Sequence, residues 1–342
     1  MRAVAFDRTG GPEVLEERTL PDPAPGPGEV LVRVRACGIN HLDLWVRAGL
    51  PGLEPVLPHV LGSDVAGEIE ALGAGVSGLA IGQRTLVNPT LSCGQCAACR
   101  RGDDHLCRQY DVIGRRSQGG YAERVVVPAA NCLAFPERLS FEQAAAVPLV
   151  FLTAWHMLVT RAGLASGEDV LVIGAGSGVG SAAVQIARRR GARVIATVGD
   201  PARFERARAL GALEVIDHAH EDVAARVRAL TQRKGVEVVF EHVGGRIFEA
   251  GVAALARDGR LVTCGATIGG RVTLDVNVLF GRHLTLMGSW MGRRSDMIAV
   301  LAEIASGALE PVLDRVMPLA EARAAHERIE ARQQFGKVVL VP

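Results

Sequence analysis

The chain has 342 residues, 49% hydrophobic and 22% charged, with a formal net charge of +1. That length favours two domains, the composition excludes a disordered chain, and the near-neutral balance gives no electrostatic footprint for nucleic acid or an anionic membrane. No apolar run reaches the roughly 18 residues of a membrane span. The opening "MRAVAFDRTG" alternates as a strand does and lacks the features of a signal peptide. Seven cysteines, most of them in one cluster, argue against a secreted disulfide framework. A cytoplasmic protein with no nucleic-acid or membrane partner is expected.

From residue 1 to about 130 the pattern is short strands broken by Gly and Pro. "EVLVRVRACGIN" and "VAGEIEALG" alternate, "GGYAERVVVP" closes on a proline, and "LPDPAPGPGE" is too rich in proline for a helix. Within this region "SCGQCAACRRGDDHLC" places Cys93, Cys96, Cys99 and Cys107 at a C-x2-C-x2-C-x7-C spacing. Thiolates this close can surround one Zn²⁺ with Zn–S distances of about 2.3 Å, and four sulfurs leave no open position, which makes the metal structural. An iron–sulfur cluster and free thiols are the alternatives.

From about residue 150 the pattern changes to apolar strands alternating with helices, which implies a parallel sheet covered on both faces. "FLTAWHMLVTRAG" is helical and stops at a glycine. "EDVLVIGAGSGVGSAAVQIARRRGARVIATVGD" runs strand, glycine turn, helix, strand. A strict G-x-G-x-x-G does not fit. The better description is A-x-x-G-V-G over Ala175, Gly176, Ser177, Gly178, Val179 and Gly180. Small residues at such a turn let a pyrophosphate approach the free N–H groups of the helix N-terminus, so a dinucleotide site is expected here. An NAD site wants a carboxylate at the end of the second strand. Asp200 comes late for that role, and Arg203 is placed for a 2′-phosphate, which points to NADP with NAD possible. The alternatives are that Asp200 caps the next helix and Arg203 is a solvated helix residue. The tail "RVMPLAEARAAHERIEARQQFGKVVLVP" is read as a helix and a final strand that returns to the first domain.

The β-rich first region, the four-cysteine lobe, "GAGSGVGSAAVQIA" and the terminal "FGKVVLVP" together resemble the medium-chain dehydrogenase/reductase superfamily over essentially the whole chain. The resemblance implies an α/β protein in two parts. A GroES-like catalytic domain would cover 1–131 and 305–342, with a structural zinc lobe at about 90–110. A Rossmann domain with a doubly wound parallel sheet would cover 132–304. It also implies an active site in the cleft and a homodimer or homotetramer paired through the last Rossmann strand. Zinc alcohol dehydrogenases of this superfamily hold a second, catalytic zinc. Carried onto this chain, Cys37 matches its first ligand, but Ser63 stands in "LGSD" where imidazole is expected and Leu149 stands at the third position. His41, His59 and Asp64 are the residues that remain for a non-standard shell.

"GINHLDLWVRAG" also resembles the non-zinc NADPH:quinone reductase and enoyl-reductase branch. That likeness implies hydride delivery to a quinone or an α,β-unsaturated carbonyl without a catalytic metal. Asn40, His41 and Asp64 are the expected catalytic residues, and Thr153 is a candidate contact to the nicotinamide. Asp43 is expected to pair with Arg47, and Cys132 and Cys264 to pack. The alternatives are an alcohol dehydrogenase acting on small alcohols and aldehydes, and an NADPH-binding protein without turnover.

Overall fold

In the strand Glu29–Gly38, Val30, Val32 and Val34 are buried while Arg33 and Arg35 face solvent, where they pair with Glu70 and Glu68 of the adjacent strand. This strand organises the first of two units. The computed structural model describes residues 1–342, and its units are Met1–Leu149 with Arg293–Ala305 and Pro311–Pro342, and Val150–Gly292 with Ser306–Glu310. No helix is long and apolar enough to cross a membrane.

The first unit is β-rich. Its main sheet has the order Cys132–Leu133, Arg84–Val87, Asp64–Leu72, Glu29–Gly38, Lys337–Val341 and Leu313–Pro318. Glu29–Gly38 changes partner along one edge, pairing first with Arg124–Pro128 and then, antiparallel, with Lys337–Val341. Val339 lies opposite Gly38 there, and on the other side Asp64 does. Ala36, Cys37, Val65 and Tyr121 belong to the core or its immediate lining, each at most 1% exposed.

Two expectations differ from what is found. The residues "RVMP" end a strand, Leu313–Pro318, which runs parallel to the last one. The expected domain limits were 131/132 and 304/305, whereas 132–149 and Arg293–Ala305 cluster with the first unit. The reasons are local. Cys132–Leu133 pairs with Arg84–Val87, and the helix Phe141–Ala145 packs on Glu29–Gly38 and Asp64–Leu72. Arg294 donates its N–H to Asp104 at 3.1 Å.

The second unit is a six-stranded, all-parallel sheet in the order Glu214–Asp217, Arg193–Val198, Asp169–Val172, Val236–Glu241, Leu255–Thr263 and Thr285–Gly288. The strand order reverses beside Asp169–Val172. In a doubly wound sheet the ligand crevice opens at such a point, outside the carboxyl ends of the strands. The glycine turn follows Asp169–Val172 and leads into the helix Gly178–Arg189. A Cβ at Gly180 would lie 2.2 Å from the carbonyl oxygen of Gly174, so only glycine lets the helix sit this close to its own turn. Gly180→Ala is expected to cost about 1–3 kcal/mol through forced backbone displacement, read as a lower Tm in thermal unfolding.

Candidate active site

The glycine turn is held by hydrogen bonds to three side chains, Thr197, Ser177 and His242. Gly174 has φ +71°, and its N–H donates to Thr197 Oγ1 at 3.1 Å. Thr197 Oγ1 is also hydrogen-bonded to His218 Nδ1, 3.0 Å away. Ser177 caps the helix: its Oγ accepts from Gly180 N–H at 2.9 Å and donates to the Gly174 carbonyl at 2.9 Å. His242, at the end of the neighbouring strand, brings Nε2 to 3.3 Å from the same Oγ. Burial pushes His242 down to about 4, so the ring is neutral and carries a single hydrogen. Ala175, Gly176, Gly178 and Val179 complete the turn, leaving the N–H groups of Gly178 and Val179 at the positive end of a helix of 12 residues. These residues fit a dinucleotide's pyrophosphate: a Cβ at Gly180 would fill the cradle, and no acidic side chain belongs to it.

Asp200 caps the short turn Pro201–Arg203 by accepting Ala202 N–H at 3.0 Å, and Arg203 Nε lies 3.5 Å from its carboxylate. The strand before it ends in Thr197 and Val198, so no carboxylate stands at the strand end itself. Thr153 is 4% exposed and directs its hydroxyl at Met291 Sδ, 3.8 Å away. A cavity of about 290 Å³ lies at the ends of the last three strands, lined by Thr263, Cys264, Gly265, Ala266 and Ser289 among others. Thr197, His218 and His242 are turn residues that sequence reasoning missed; each stands at or just after the carboxyl end of a strand, the position where they could have been sought.

In the first unit the decisive residue is also one the motifs did not single out. Lys337, 3% exposed, places Nζ 2.9 Å from Asp64 Oδ2, 2.6 Å from Asn40 Oδ1 and 2.7 Å from the Ile39 carbonyl. Asn40 Nδ2 donates to Asp64 Oδ2 at 3.0 Å, and Leu149 N–H donates to Asp64 Oδ1 at 2.9 Å. Asn40 is 5% exposed and Asp64 0%. All three ammonium hydrogens have acceptors, and both carboxylate oxygens have donors. Gly38 makes this possible, because a Cβ there would lie 3.1 Å from Lys337 Cε and 2.4 Å from the Ala145 carbonyl oxygen. Asn40 and Asp64 are therefore brought together, and Asp64 is committed to an ion pair. His41 begins the helix His41–Ala48 and packs its ring against Trp45 at 6.2 Å.

The same geometry tests the fit of a catalytic zinc. Cys37, the matched first ligand, is buried with its sulfur against Gly62 and Gly120, and burial raises its thiol. Ser63 is fully buried with no partner for its hydroxyl. Leu149 contributes only a backbone N–H, a donor rather than a ligand. His59 bonds the Gly114 carbonyl at 3.0 Å and packs on Phe6. The Lys337 ammonium already takes Asp64 Oδ2 and Asn40 Oδ1, the oxygens this group could offer a metal. These residues do not fit a catalytic metal. Asp43 departs from expectation as well. It accepts N–H bonds from Asn40 and Gly62, whereas Arg47 turns to Glu330 and His326.

The four cysteines do fit an ion. Their sulfurs all lie within 4.8 Å of one another, with Cys93–Cys99 at 3.9 Å and Cys96–Cys99 at 3.5 Å. A tetrahedron of Zn–S bonds needs edges of about 3.8 Å, so the cage matches a single ion and is too tight for a polynuclear cluster. Backbone N–H groups of Gln95 and Cys96 pull the Cys93 thiol down to about 6, while burial and the neighbouring sulfurs push Cys99 up to about 11. Crowded thiols cannot all ionise alone; a dication would let them. Burial raises Cys132 to about 11 and Cys264 to about 12, and Cys264 lines the cavity of the second unit.

Comparison with known proteins agrees with this architecture. Residues 26–137 match the family model described as alcohol dehydrogenase GroES-like domain, and residues 178–306 match the one described as zinc-binding dehydrogenase. The chain is 33% identical to an NAD-dependent alcohol dehydrogenase of Saccharolobus solfataricus, with all of both chains covered. It is 34% identical to a quinone oxidoreductase of Pseudomonas aeruginosa, covering 100% of this chain and 99% of that one. A crystal structure of an NAD-dependent alcohol dehydrogenase superposes with a TM-score of 0.96 at 48% identity, again over the full length of both. A GroES-like unit and a parallel-sheet dinucleotide fold, matched end to end by both kinds of relative, make this chain an oxidoreductase of the medium-chain dehydrogenase/reductase superfamily.

Proposed function

We propose that this oxidoreductase uses NADPH to reduce a quinone or an α,β-unsaturated carbonyl, without a catalytic metal, and carries one structural zinc on Cys93, Cys96, Cys99 and Cys107. The observation that carries the reading is the Asn40–Asp64–Lys337 group: an ammonium is fixed between the side-chain oxygens of Asn40 and Asp64, and Cys37, Ser63 and Leu149 supply no ligand set. The bound nicotinamide supplies a hydride. The chain's part is to hold the acceptor and stabilise the negative charge that develops on its oxygen. Asn40 is the donor in this reading. One Nδ2 hydrogen is spent on Asp64 and Oδ1 on Lys337, which fixes the amide plane and leaves the second Nδ2 hydrogen for the substrate. Asp64 and Lys337 act as positioning residues. His41, at the start of the helix His41–Ala48, is the proton donor in this reading.

NADPH is favoured because Asp200 is spent as a cap and Arg203 opens the adjacent helix. Two copies are expected to join along Thr285–Gly288, which is paired on one side only, beside the exposed Val276 and Phe280. A second reading, oxidation of small alcohols with NAD, is favoured by the relative that is 48% identical and described as an NAD-dependent alcohol dehydrogenase.

The two readings separate in one assay. NADPH and NADH consumption with a quinone and an enone is measured beside alcohol oxidation, with elemental analysis of the same sample. One zinc per chain and NADPH-dependent reduction are expected; two zincs per chain with alcohol oxidation would reverse the choice. Asn40→Ala is expected to lower kcat by about 10²-fold or more, as loss of an oxyanion donor does. Lys337→Met leaves Asp64 buried without its partner and is expected to cost about 3–5 kcal/mol in denaturant unfolding. Arg203→Ala is expected to raise KM for NADPH about tenfold, the equivalent of one charged contact, with KM for NADH little changed.

A further inference from the structure

A second buried polar chain runs through the first unit, and no role described so far uses it. Its members come from distant parts of the sequence: Asp43 and Arg47 on His41–Ala48, Tyr121 before the strand Arg124–Pro128, and His326 on the helix Ala322–Glu330. Asp43, Arg47, Tyr121 and His326 are all at most 2% exposed. Arg47 Nη1 lies 3.1 Å from His326 Nδ1, His326 Nε2 lies 3.0 Å from the Tyr121 hydroxyl, and that hydroxyl lies 3.4 Å from Asp43 Oδ2.

The direction of every hydrogen follows from one end. A guanidinium only donates, so His326 Nδ1 accepts. Burial and the Arg47 charge push His326 down to about 3, so the ring is neutral and its single hydrogen is on Nε2. That hydrogen goes to the Tyr121 oxygen, and the Tyr121 hydrogen goes to Asp43. The guanidinium is itself fixed, by Glu330 and by the Gly10 carbonyl at 3.2 Å. At the far end Asp43 Oδ2 accepts Asn40 N–H at 2.7 Å and Oδ1 accepts Gly62 N–H at 3.1 Å. Those two amides belong to the backbone that carries Asn40 and the Gly62–Asp64 turn.

We propose that His326 and Tyr121 are positioning residues, a one-way hydrogen-bond relay that aims Asp43 at the Asn40 and Gly62 amides and so sets the geometry of the Asn40–Asp64 site. This rests on Asn40 being the substrate's donor. Three further groups, Lys337, Asp64 and Cys37, face the carboxylate beside the members of the relay itself. Lys337 favours its charged form, Asp64, Cys37 and Tyr121 couple to it electrostatically, and Arg47 acts through His326. Burial pushes Asp43 up to about 7, against the Asn40 N–H and the Lys337 charge. The anion that accepts both amides is thus lost as pH falls through neutrality. Removing the Tyr121 hydrogen withdraws a donor from that anion, and the loss then begins at higher pH.

The test compares Tyr121→Phe, His326→Phe and His326→Gln with the wild-type protein by hydrogen exchange resolved to single amides, alongside kcat against pH. Glutamine can accept from Arg47 through its oxygen and donate to Tyr121 through its nitrogen; phenylalanine can do neither. Exchange at Asn40 and Gly62 is expected to quicken about tenfold in Tyr121→Phe and His326→Phe, the loss of roughly one hydrogen bond, and to recover in His326→Gln. The acid limb of kcat should move to higher pH in Tyr121→Phe with KM for the cofactor unchanged. Unchanged exchange in Tyr121→Phe, which removes a single oxygen, overturns the relay, as does a His326→Gln protein that behaves like His326→Phe. Faster exchange with an unmoved pH profile upholds the relay and overturns Asn40 as the donor instead.

Discussion

A single ammonium, fully buried, closes the first unit around its site. Taking Lys337 and Asp64 out of water costs several kcal/mol for each charge, and their attraction offsets this only if the remaining hydrogen-bonding capacity is filled. It is filled here, by Ile39, Asn40 and Leu149. The arrangement also fixes sheet register. Val339 opposite Gly38 puts Lys337 level with Asn40, and a slip of one residue would turn the lysine to the other face of the sheet. The pair therefore specifies how the last strand joins the first unit, beyond whatever it adds to stability.

The second unit solves a related problem with hydroxyls and imidazoles in place of charges. Its glycine turn must present free N–H groups to an anion while the rest of the backbone stays satisfied. Thr197 and Ser177 each take one backbone N–H, Ser177 passes its own hydrogen to the Gly174 carbonyl, and His242 ties the turn to the strand across the point where the order reverses. The N–H groups left over are those of the helix start. Orientation of the ligand follows from what the turn has already used up.

Local pattern made much of this legible. The strand, turn and helix around Gly174–Gly180 follow from periodicity and glycine spacing, and the cysteine cage follows from four residues close in sequence. What escaped was long-range. Lys337 and Asn40 are 297 positions apart, and only the antiparallel register joins them. A cue did exist, since Lys337 is a lone charge opening an apolar strand. Asp43 and Arg47 have the spacing of a helical ion pair, but His326 and Glu330 offered the guanidinium better acceptors. Cys37 resembled a ligand by position in the motif, yet its side chain points into the core, because successive residues of a strand face opposite sides. The helix Phe141–Ala145 could have belonged to either unit on composition alone; its contacts with Glu29–Gly38 decided the boundary.

The choice of lysine at 337 has a practical side. Nearly all of the 38 basic side chains are arginine; the lysines are Lys234 and Lys337. The amino terminus is engaged by the Leu20 carbonyl at 2.8 Å and by Asp22. Amine-directed reagents, whether fluorophores, cross-linkers or a resin for immobilisation, therefore meet one open ε-amino group, Lys234, on the rim of the parallel-sheet unit. Modification of a second ε-amino group would report that the interior of the other unit had opened.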